Sequence, residues 1–595
     1  MANHVHSNGC VSKMKVTMMK TRFSIATATL SMMIHAVAAQ PGTTGLAFPN
    51  DPDTTVNVIV RYRAGADESF RARLADRGMR HIHDLSLLRS HALTVKAGQL
   101  AALAADTDVE SIMPDNPIGA TAFSGSVDYG WLTVLGVTSP AATFPYDGTG
   151  VGVALIDSGI DGNADLDAKN SGSIIAYSES FVPGDSKTGD GYGHGTHVAG
   201  VIAGNGSMSS GPHAPYTIRG IAPGVSLVSL RVLDSNGRGT DSAVIAAIQR
   251  AIQLKTTYNI RVINLSVGRP VQVSYAFDPL CQAVEQAWKA GIVVVVSAGN
   301  QGRDNSAGTN GYATITAPGN DPYVITVGAM NTSGTLTRSD DKITSYSSKG
   351  PTLLDHVVKP DLVAPGNRIL SLQQTDAYLE QTHPENLVPK YIYAANNGHA
   401  SHDYFQLSGT SMAAPMVTGA VALMLQKDPS LTPDTVKARL MKTAQKLPAM
   451  QTASTDPTTG ITYISENDIF TVGAGYLDVQ SALASTDIAR ASAVSPAAVP
   501  DGRGSLCLVL SSNVLWGTNV LWGTNVLWGT NVLWGTNTVW GNNVLWGTNV
   551  LWGTSGVMGS NVLWGTNVLW GTNVLWGTSG GPNVEALNLT LTGDQ

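Results

Sequence analysis

Cysteine is nearly absent from this sequence: Cys10, Cys281 and Cys507 are the only three in 595 residues. Three cannot build a disulfide framework, and their spacing is not that of a zinc site. Cys281 reads as a small buried apolar residue. Charge is scarce too, at 13 % of residues against about 25 % in an average soluble domain. Lys and Arg number 36 against 43 Asp and Glu, a net charge of −7. With no basic excess to meet a phosphate backbone, nucleic acid is not an expected partner. Long apolar runs are also lacking. The nearest to one, Phe23–Ala39, is short and broken by His35, Ser and Thr, which disfavours a membrane-spanning helix.

What is present is 43 % hydrophobic residues and 63 glycines. The first excludes disorder throughout, and the second suits a loop-rich globular body. Lys13, Lys15, Lys20 and Arg22 precede the Phe23–Ala39 run, and Ala36-Val37-Ala38 closes it with small residues. That is the pattern of an export signal over residues 1–39, with Met14 or Met19 as alternative starts. A secreted or cell-surface protein is expected, and a single membrane anchor is the alternative.

Residues 53–120 mix strands (Val56–Tyr62, His91–Val95, Val109–Met113) with helical stretches (Asp67–Gly78, Gly98–Asp106), a small α+β unit. Its place before the main body suggests a pro-domain. From 128 to 485 the pattern becomes α/β. Short Val/Ile runs at Gly152–Ile156, Ser226–Val232, Val262–Leu265, Ile292–Val296 and Tyr323–Val327 suit strands buried on both faces of a parallel sheet. Asp241–Leu254 reads as a helix with Val244, Ile245, Ile248 and Ile252 on one side. Thr432-Pro433 opens another, with a threonine cap. Residues 486–512, rich in Ala, Ser and Pro at the start, read as a linker. From Asn513 to Thr578 the hexapeptide Asn-Val-Leu-Trp-Gly-Thr recurs in eleven units, ten carrying Trp and one Met558. A tail of residues 579–595 follows.

An even period puts Val, Trp and Thr on one face of a strand in every unit. The repeat therefore reads as low-complexity β-type structure, in stacked turns or a solenoid. Its uncharged tryptophans point to self-association, surface attachment or carbohydrate binding. A tail without selected function is the bland alternative, and the sequence leaves these open.

Three segments carry chemistry. Val153–Asp157 is a strand ending in a carboxylate. Gly193-His194-Gly-Thr-His197 enters a helix of small residues. Ser408-Gly-Thr-Ser411-Met-Ala-Ala-Pro415 places a serine at the mouth of another. A serine hydroxyl needs a base, imidazole is that base near neutral pH, and a carboxylate fixes the imidazole's tautomer. A helix N-terminus at Ser411 offers N–H groups to a developing oxyanion. Ser297-Ala-Gly-Asn300 follows a strand and can supply an amide donor to the same oxygen.

At these residues the chain resembles the subtilisin-like serine proteases, the subtilases. The blocks Ile156-Asp157-Ser-Gly-Ile, His194-Gly-Thr-His-Val-Ala-Gly and Gly409-Thr-Ser411-Met-Ala-Ala-Pro occur in the family's order, Asp, His, Ser. The resemblance spans roughly residues 130–485. It implies a parallel-sheet α/β catalytic domain hydrolysing protein or peptide substrates through an acyl-enzyme. In it Asp157 orients His194, His194 is the general base, Ser411 the nucleophile, and Asn300 with the Ser411 N–H the oxyanion hole. His197 is then structural. Ser266, Val267 and Gly268, with Ala298 and Gly299, line the first specificity pocket beside an edge strand for the substrate backbone, and Gly239 within Arg238–Thr240 forms the opposite edge. Arg269 stands where the family often has glycine, leaving the pocket rim open.

The resemblance also makes residues 53–120 a pro-domain that chaperones folding and inhibits the enzyme. The self-processing cut is expected between Asn116 and Tyr129. Asp165 lies where the family's common calcium-site Asp would lie, although the loop Gly204–Arg219 lacks the usual ligand pattern; solvation alone is the other reading. No organic cofactor is expected. Asp161 and Asp190 read as loop or turn carboxylates and Trp288 as core. The insertion from Leu372 to Phe405, with His402 and Asp403, reads as a surface loop near the cleft. A non-catalytic scaffold for adhesion is one rival reading, and a processing protease with a narrow target another; the complete triad favours catalysis.

Overall fold

The computed structural model describes residues 51–120 and 145–509, apart from 65–72, 75–78, 169–171, 211–213, 215, 395–402, 457–458 and 501–504, with isolated residues elsewhere. The expected signal, the 121–144 junction, the tail and all but a few residues of the tryptophan repeat lie outside these bounds.

A seven-strand path forms the centre of the larger body. Its order is Lys342–Ile343, Ile325–Asn331, Val293–Ser297, Ile260–Leu265, Gly152–Asp157, Ser226–Arg231 and Ile175–Ser180, with Leu362–Pro365 also paired to Ile325–Asn331. All pairings are parallel except that of Lys342–Ile343. Every residue of Gly152–Asp157, Val293–Ser297 and Ile325–Asn331 is buried. Such strands must be apolar on both faces because helices cover both. The five Val/Ile runs are therefore strands, with shifted ends. Ile175–Ser180 escapes that reading because it is an edge strand with half-exposed polar residues. Leu362–Pro365 escapes it because its apolar run is only four residues long.

The helix Asp241–Leu254 forms as the spacing predicts, with Thr240 accepting the Ala243 N–H at 3.3 Å as its cap. The long helix Thr410–Lys427 is buried from Thr410 to Leu425. Its Ala, Gly and Thr residues let it lie close to the sheet, and it carries Ser411 on its first turn.

Residues 55–114 form a four-stranded antiparallel sheet in the order Arg80–Leu85, Ser90–Lys96, Thr55–Tyr62, Val109–Pro114, with a short helix at Leu100–Ala104. Most of Asp67–Gly78 lies outside the described residues. One face holds its own core of Val58, Val60, Leu93, Val95, Leu103 and Ile112. Ile59, Leu85, Leu88 and Ala92 instead join the core of the larger body. The contact is polar at its edges: Gln249 Oε1 accepts the Leu87 N–H at 2.8 Å, and Arg61 donates to Gln282 at 2.9 Å.

Residues 486–500 are not a free linker, which corrects the compositional reading. Ala493, Val494 and Ala498 are buried. Ser495 Oγ donates to Asp361 at 2.5 Å, and Val358 and Ala498 exchange backbone bonds across this segment with Pro496 and His356. Small side chains allow close approach, and backbone bonds of this kind leave no mark in composition.

Candidate active site

Asp157 ends its strand with Oδ1 2.7 Å from His194 Nδ1, and the same oxygen accepts the Ser158 N–H at 2.8 Å. Both side chains are buried. His194 opens the helix His194–Ala203, and the turn before it is clamped by Asp190. That carboxylate accepts Ser158 Oγ, the Gly193 N–H and the Thr196 N–H, each at 2.7 Å. Asp190 is thus a buried clamp rather than an ordinary turn carboxylate. A signal was present in its position four residues before the histidine, but spacing alone does not say which way a loop carboxylate turns. After His194 only glycine fits: a methyl at Gly195 would fall 2.1 Å from the Gly159 carbonyl oxygen.

The Ser411 hydroxyl donates to the Ser266 carbonyl at 2.9 Å, and Ser266 Oγ donates to the Ser411 carbonyl at 2.9 Å. His194 Nε2 is buried and has no hydrogen-bond partner among the described residues. Serine and imidazole are therefore not hydrogen-bonded in this state, an arrangement that tightens in many hydrolases only when substrate binds. Asn300 Oδ1 accepts both the N–H and the hydroxyl of Thr410, each at 3.0 Å. Two donors on one atom identify it as the oxygen and turn the NH₂ the other way. That Nδ2 is buried and unpartnered among the described residues.

The Ser266–Gly268 and Ala298–Gly299 segments meet at Thr316. A methyl on Gly268 would come 2.6 Å from Thr316 Oγ1, and one on Gly299 would come 2.7 Å from its Cγ2. Thr316 sits between two motifs in space but in neither by sequence, so the reading missed it. Arg238–Thr240 and Val267–Gly268 flank a groove, and a strand from the N-terminal unit, Pro117–Ala120, occupies it. Arg238, Gly239 and Thr240 pair with Gly119, Ile118 and Pro117; Gly268 and Val267 pair with Gly119 and Ala120.

His197 lies in the core, its Nε2 within 3.2 Å of the Ile369 and Phe405 carbonyls. Burial, and then the His194 imidazole, push it down to about 3, so it stays neutral. Trp288 is buried. Asp403, in the insertion, accepts the Tyr393 hydroxyl at 2.7 Å, and His402 lies outside the described residues.

The profile of the subtilase family matches residues 148–461 of this chain. The chain belongs to the subtilase family. It is 38 % identical over 309 residues to the serine protease AprX of Bacillus subtilis, covering 50 % of this chain and 62 % of AprX. It is 36 % identical over 302 residues to subtilisin DY of Bacillus licheniformis, covering 51 % and 86 %. The alignment thus leaves more than a third of AprX unmatched. The crystal structure of fervidolysin from Fervidobacterium pennivorans, described as a keratinolytic enzyme related to subtilisin, gives a TM-score of 0.52 at 22 % identity. It covers 75 % of this chain and 63 % of that one, a likeness of fold.

Calcium is common in the family, but Asp165 does not fit as a ligand here, which corrects the expectation. Its Oδ1 accepts Ser207 Oγ and the Met208 N–H, each at 2.8 Å, and its Oδ2 accepts the Tyr404 hydroxyl at 2.5 Å. Burial, and then Asp165, hold the Tyr404 phenol proton in place. A calcium ion needs six to eight oxygen ligands facing it, whereas this buried carboxylate faces donors. Among the described residues, no group of three His, Cys, Asp or Glu side chains could hold a metal.

Arg269 does not rim the pocket. It is buried, with Nε 2.8 and 2.9 Å from the Asp241 oxygens and one terminal nitrogen 2.8 Å from both oxygens of Asp278. It ties the first residue of one helix to the cap residue of the next. Arg269→Leu leaves two buried carboxylates facing each other. An expected loss of about 3–5 kcal/mol of stability follows, read as a lowered denaturant midpoint with Ser411→Ala present in both chains to prevent self-digestion.

Proposed function

We propose that this subtilase is a secreted endopeptidase, made as a pre-pro-enzyme that cleaves itself through Ser411, His194 and Asp157. One observation carries the reading: the strand Pro117–Ala120 lies in the groove between Arg238–Thr240 and Val267–Gly268, paired on both sides. Substrate backbones held this way gain main-chain hydrogen bonds whatever their side chains.

The reaction then runs in two halves. Ser411 Oγ attacks the scissile carbonyl carbon as His194 Nε2 takes its proton. Asp157 holds the imidazole by Nδ1 and stabilises its positive charge. Asn300 Nδ2 and the Ser411 N–H donate to the oxyanion. His194 returns the proton to the leaving amine, and the acyl-enzyme forms. Water, deprotonated by His194, then releases the acid.

Ala120, the last described residue of that strand, pairs with Val267, the neighbour of Ser266. That favours Thr121–Ala122 as the self-processed bond. Intact-mass measurement on the chain and its Ser411→Ala variant tests the reading.

After such a cut the N-terminal unit would stay bound as an inhibitor, and Asp115 bears on its release. It caps the helix Asp241–Leu254, accepting the Ser242 N–H at 2.7 Å and the Ser242 hydroxyl at 2.5 Å. Burial, with Asp241 nearby, pushes it up to about 7. A free Asp titrates near 3.9, so the docked state holds its proton more tightly. Docking is therefore favoured in acid and weakens as pH rises toward 7. Between pH 5 and 7 this group alone raises the unit's dissociation constant about fiftyfold. Activity should appear faster at pH 8 than at pH 5 once the chain is cut, and Asp115→Asn should flatten that difference.

A further inference from the structure

The insertion Leu372–Phe405 is used by neither the triad nor the paired strands, yet it is fastened beside His194. The Tyr378 N–H donates to the Gly191 carbonyl at 3.0 Å, and the Leu379 N–H donates to the Tyr192 carbonyl at 3.1 Å. The Tyr378 ring stacks on Tyr192 with centroids 5.9 Å apart and planes 24° apart, and the Tyr192 ring is 6.3 Å from the His194 imidazole. Tyr192 is 1 % exposed, whereas Tyr378 is 41 % exposed. An aromatic stack thus runs from the catalytic histidine out to solvent.

Its place along the groove follows from the strand register. Thr240, Gly239 and Arg238 pair with Pro117, Ile118 and Gly119. Gly237 directly precedes Arg238, the partner of Gly119, and Gly119 is followed by Ala120, which pairs with Val267. Gly237 is where the Tyr192 ring packs: a methyl there would fall 2.5 Å from its Cζ, and φ is +71°. The stack therefore stands beside the backbone position of Ala120.

We infer that Tyr378, stacked on Tyr192, walls the subsite for the substrate side chain at the Ala120 position and makes it favour aliphatic or aromatic residues. The inference rests on the proteolytic reading above, in which this is the second residue before the cleaved bond. A tyrosine face removes water from an apolar side chain and offers no ion pair to Lys or Asp. Tyr192 acts as a positioning residue, fixing the exposed ring from beneath.

The test uses the self-processed enzyme and quenched peptides Pro-Ile-Gly-Xaa-Thr-Ala-Phe-Ser, with Xaa as Ala, Leu, Phe or Asp. Wild type should cleave the Leu and Phe peptides faster than the Asp peptide. Tyr378→Ala should lose about three- to tenfold in kcat/KM on Leu and Phe, mainly through KM. It should leave the Ala peptide unchanged, and Tyr378→Phe should keep the wild-type profile. A Tyr378→Ala enzyme with an unchanged Leu-to-Ala ratio, or one slowed equally on all four, would overturn the subsite while leaving the protease reading intact. Failure of wild type to cut any of them would overturn both.

Discussion

Ser411→Ala, expressed without residues 1–39, should keep its full mass indefinitely, while the unaltered chain separates into residues 40–121 and 122–595. Self-cleavage requires that the bond be held beside the nucleophile, and Pro117–Ala120, just ahead of the proposed bond, is paired on both edges. Removing the nucleophile should lower the rate by about a millionfold, as it does in subtilisin, because the remaining groups act through it. His194→Ala should give the same stable chain. Asp157→Asn should retain folding but lose about four orders of magnitude, since the amide favours the wrong imidazole tautomer. Mass reads the cleaved bond directly. A cut elsewhere between Asn116 and Tyr129 would keep the protease and shift the register. An intact wild-type chain across several pH values and with added calcium would sink self-processing.

The site was legible where chemistry and local geometry share a short stretch of chain. Asp157 ends a buried strand, His194 is flanked by Gly193 and Gly195, and Ser411 begins a small-residue helix; each arrangement leaves its residues in order along the sequence. The sheet was legible for a similar reason, because strands covered on both faces must be continuous apolar runs. What escaped depends on partners far away in sequence. Asp190 becomes a clamp only because Ser158 and Thr196 turn toward it. Arg269 leaves the cleft because Asp241 and Asp278 meet it in the interior. Asp165 faces Tyr404, 239 residues on, so its neighbours in sequence could not show that a tyrosine hydroxyl takes one of its oxygens. The Ala/Ser/Pro stretch after 485 misled for the opposite reason: a segment attached through its backbone needs no distinctive side chains. The N-terminal unit was readable as α+β, but its second strand, Arg80–Leu85, was not. That strand alternates His, Asp and Arg with few apolar residues, and its burial comes from the body it docks on.

Asn300 separates a competent site from a merely assembled one. Its carbonyl oxygen is committed to Thr410, which fixes the amide and leaves Nδ2 buried without a partner among the described residues. A buried N–H donor left unpaired is unfavourable in the resting protein. The same donor becomes an asset when a carbonyl oxygen gains charge in front of it, because no reorganisation is needed at that moment. Asn300→Leu should lose about 1–3 kcal/mol of stability, because the buried Thr410 N–H and hydroxyl lose their acceptor, while kcat falls about a hundred- to a thousandfold with KM little changed. That range is the cost known for losing the corresponding asparagine in subtilisin. Asn300→Asp should fare worse, because a carboxylate there repels the developing oxyanion. The measurement is kcat and KM on a single peptide, alongside the denaturant midpoint in a Ser411→Ala background. A fall in kcat of less than about tenfold would make Asn300 a structural residue and leave the oxyanion to the Ser411 N–H alone.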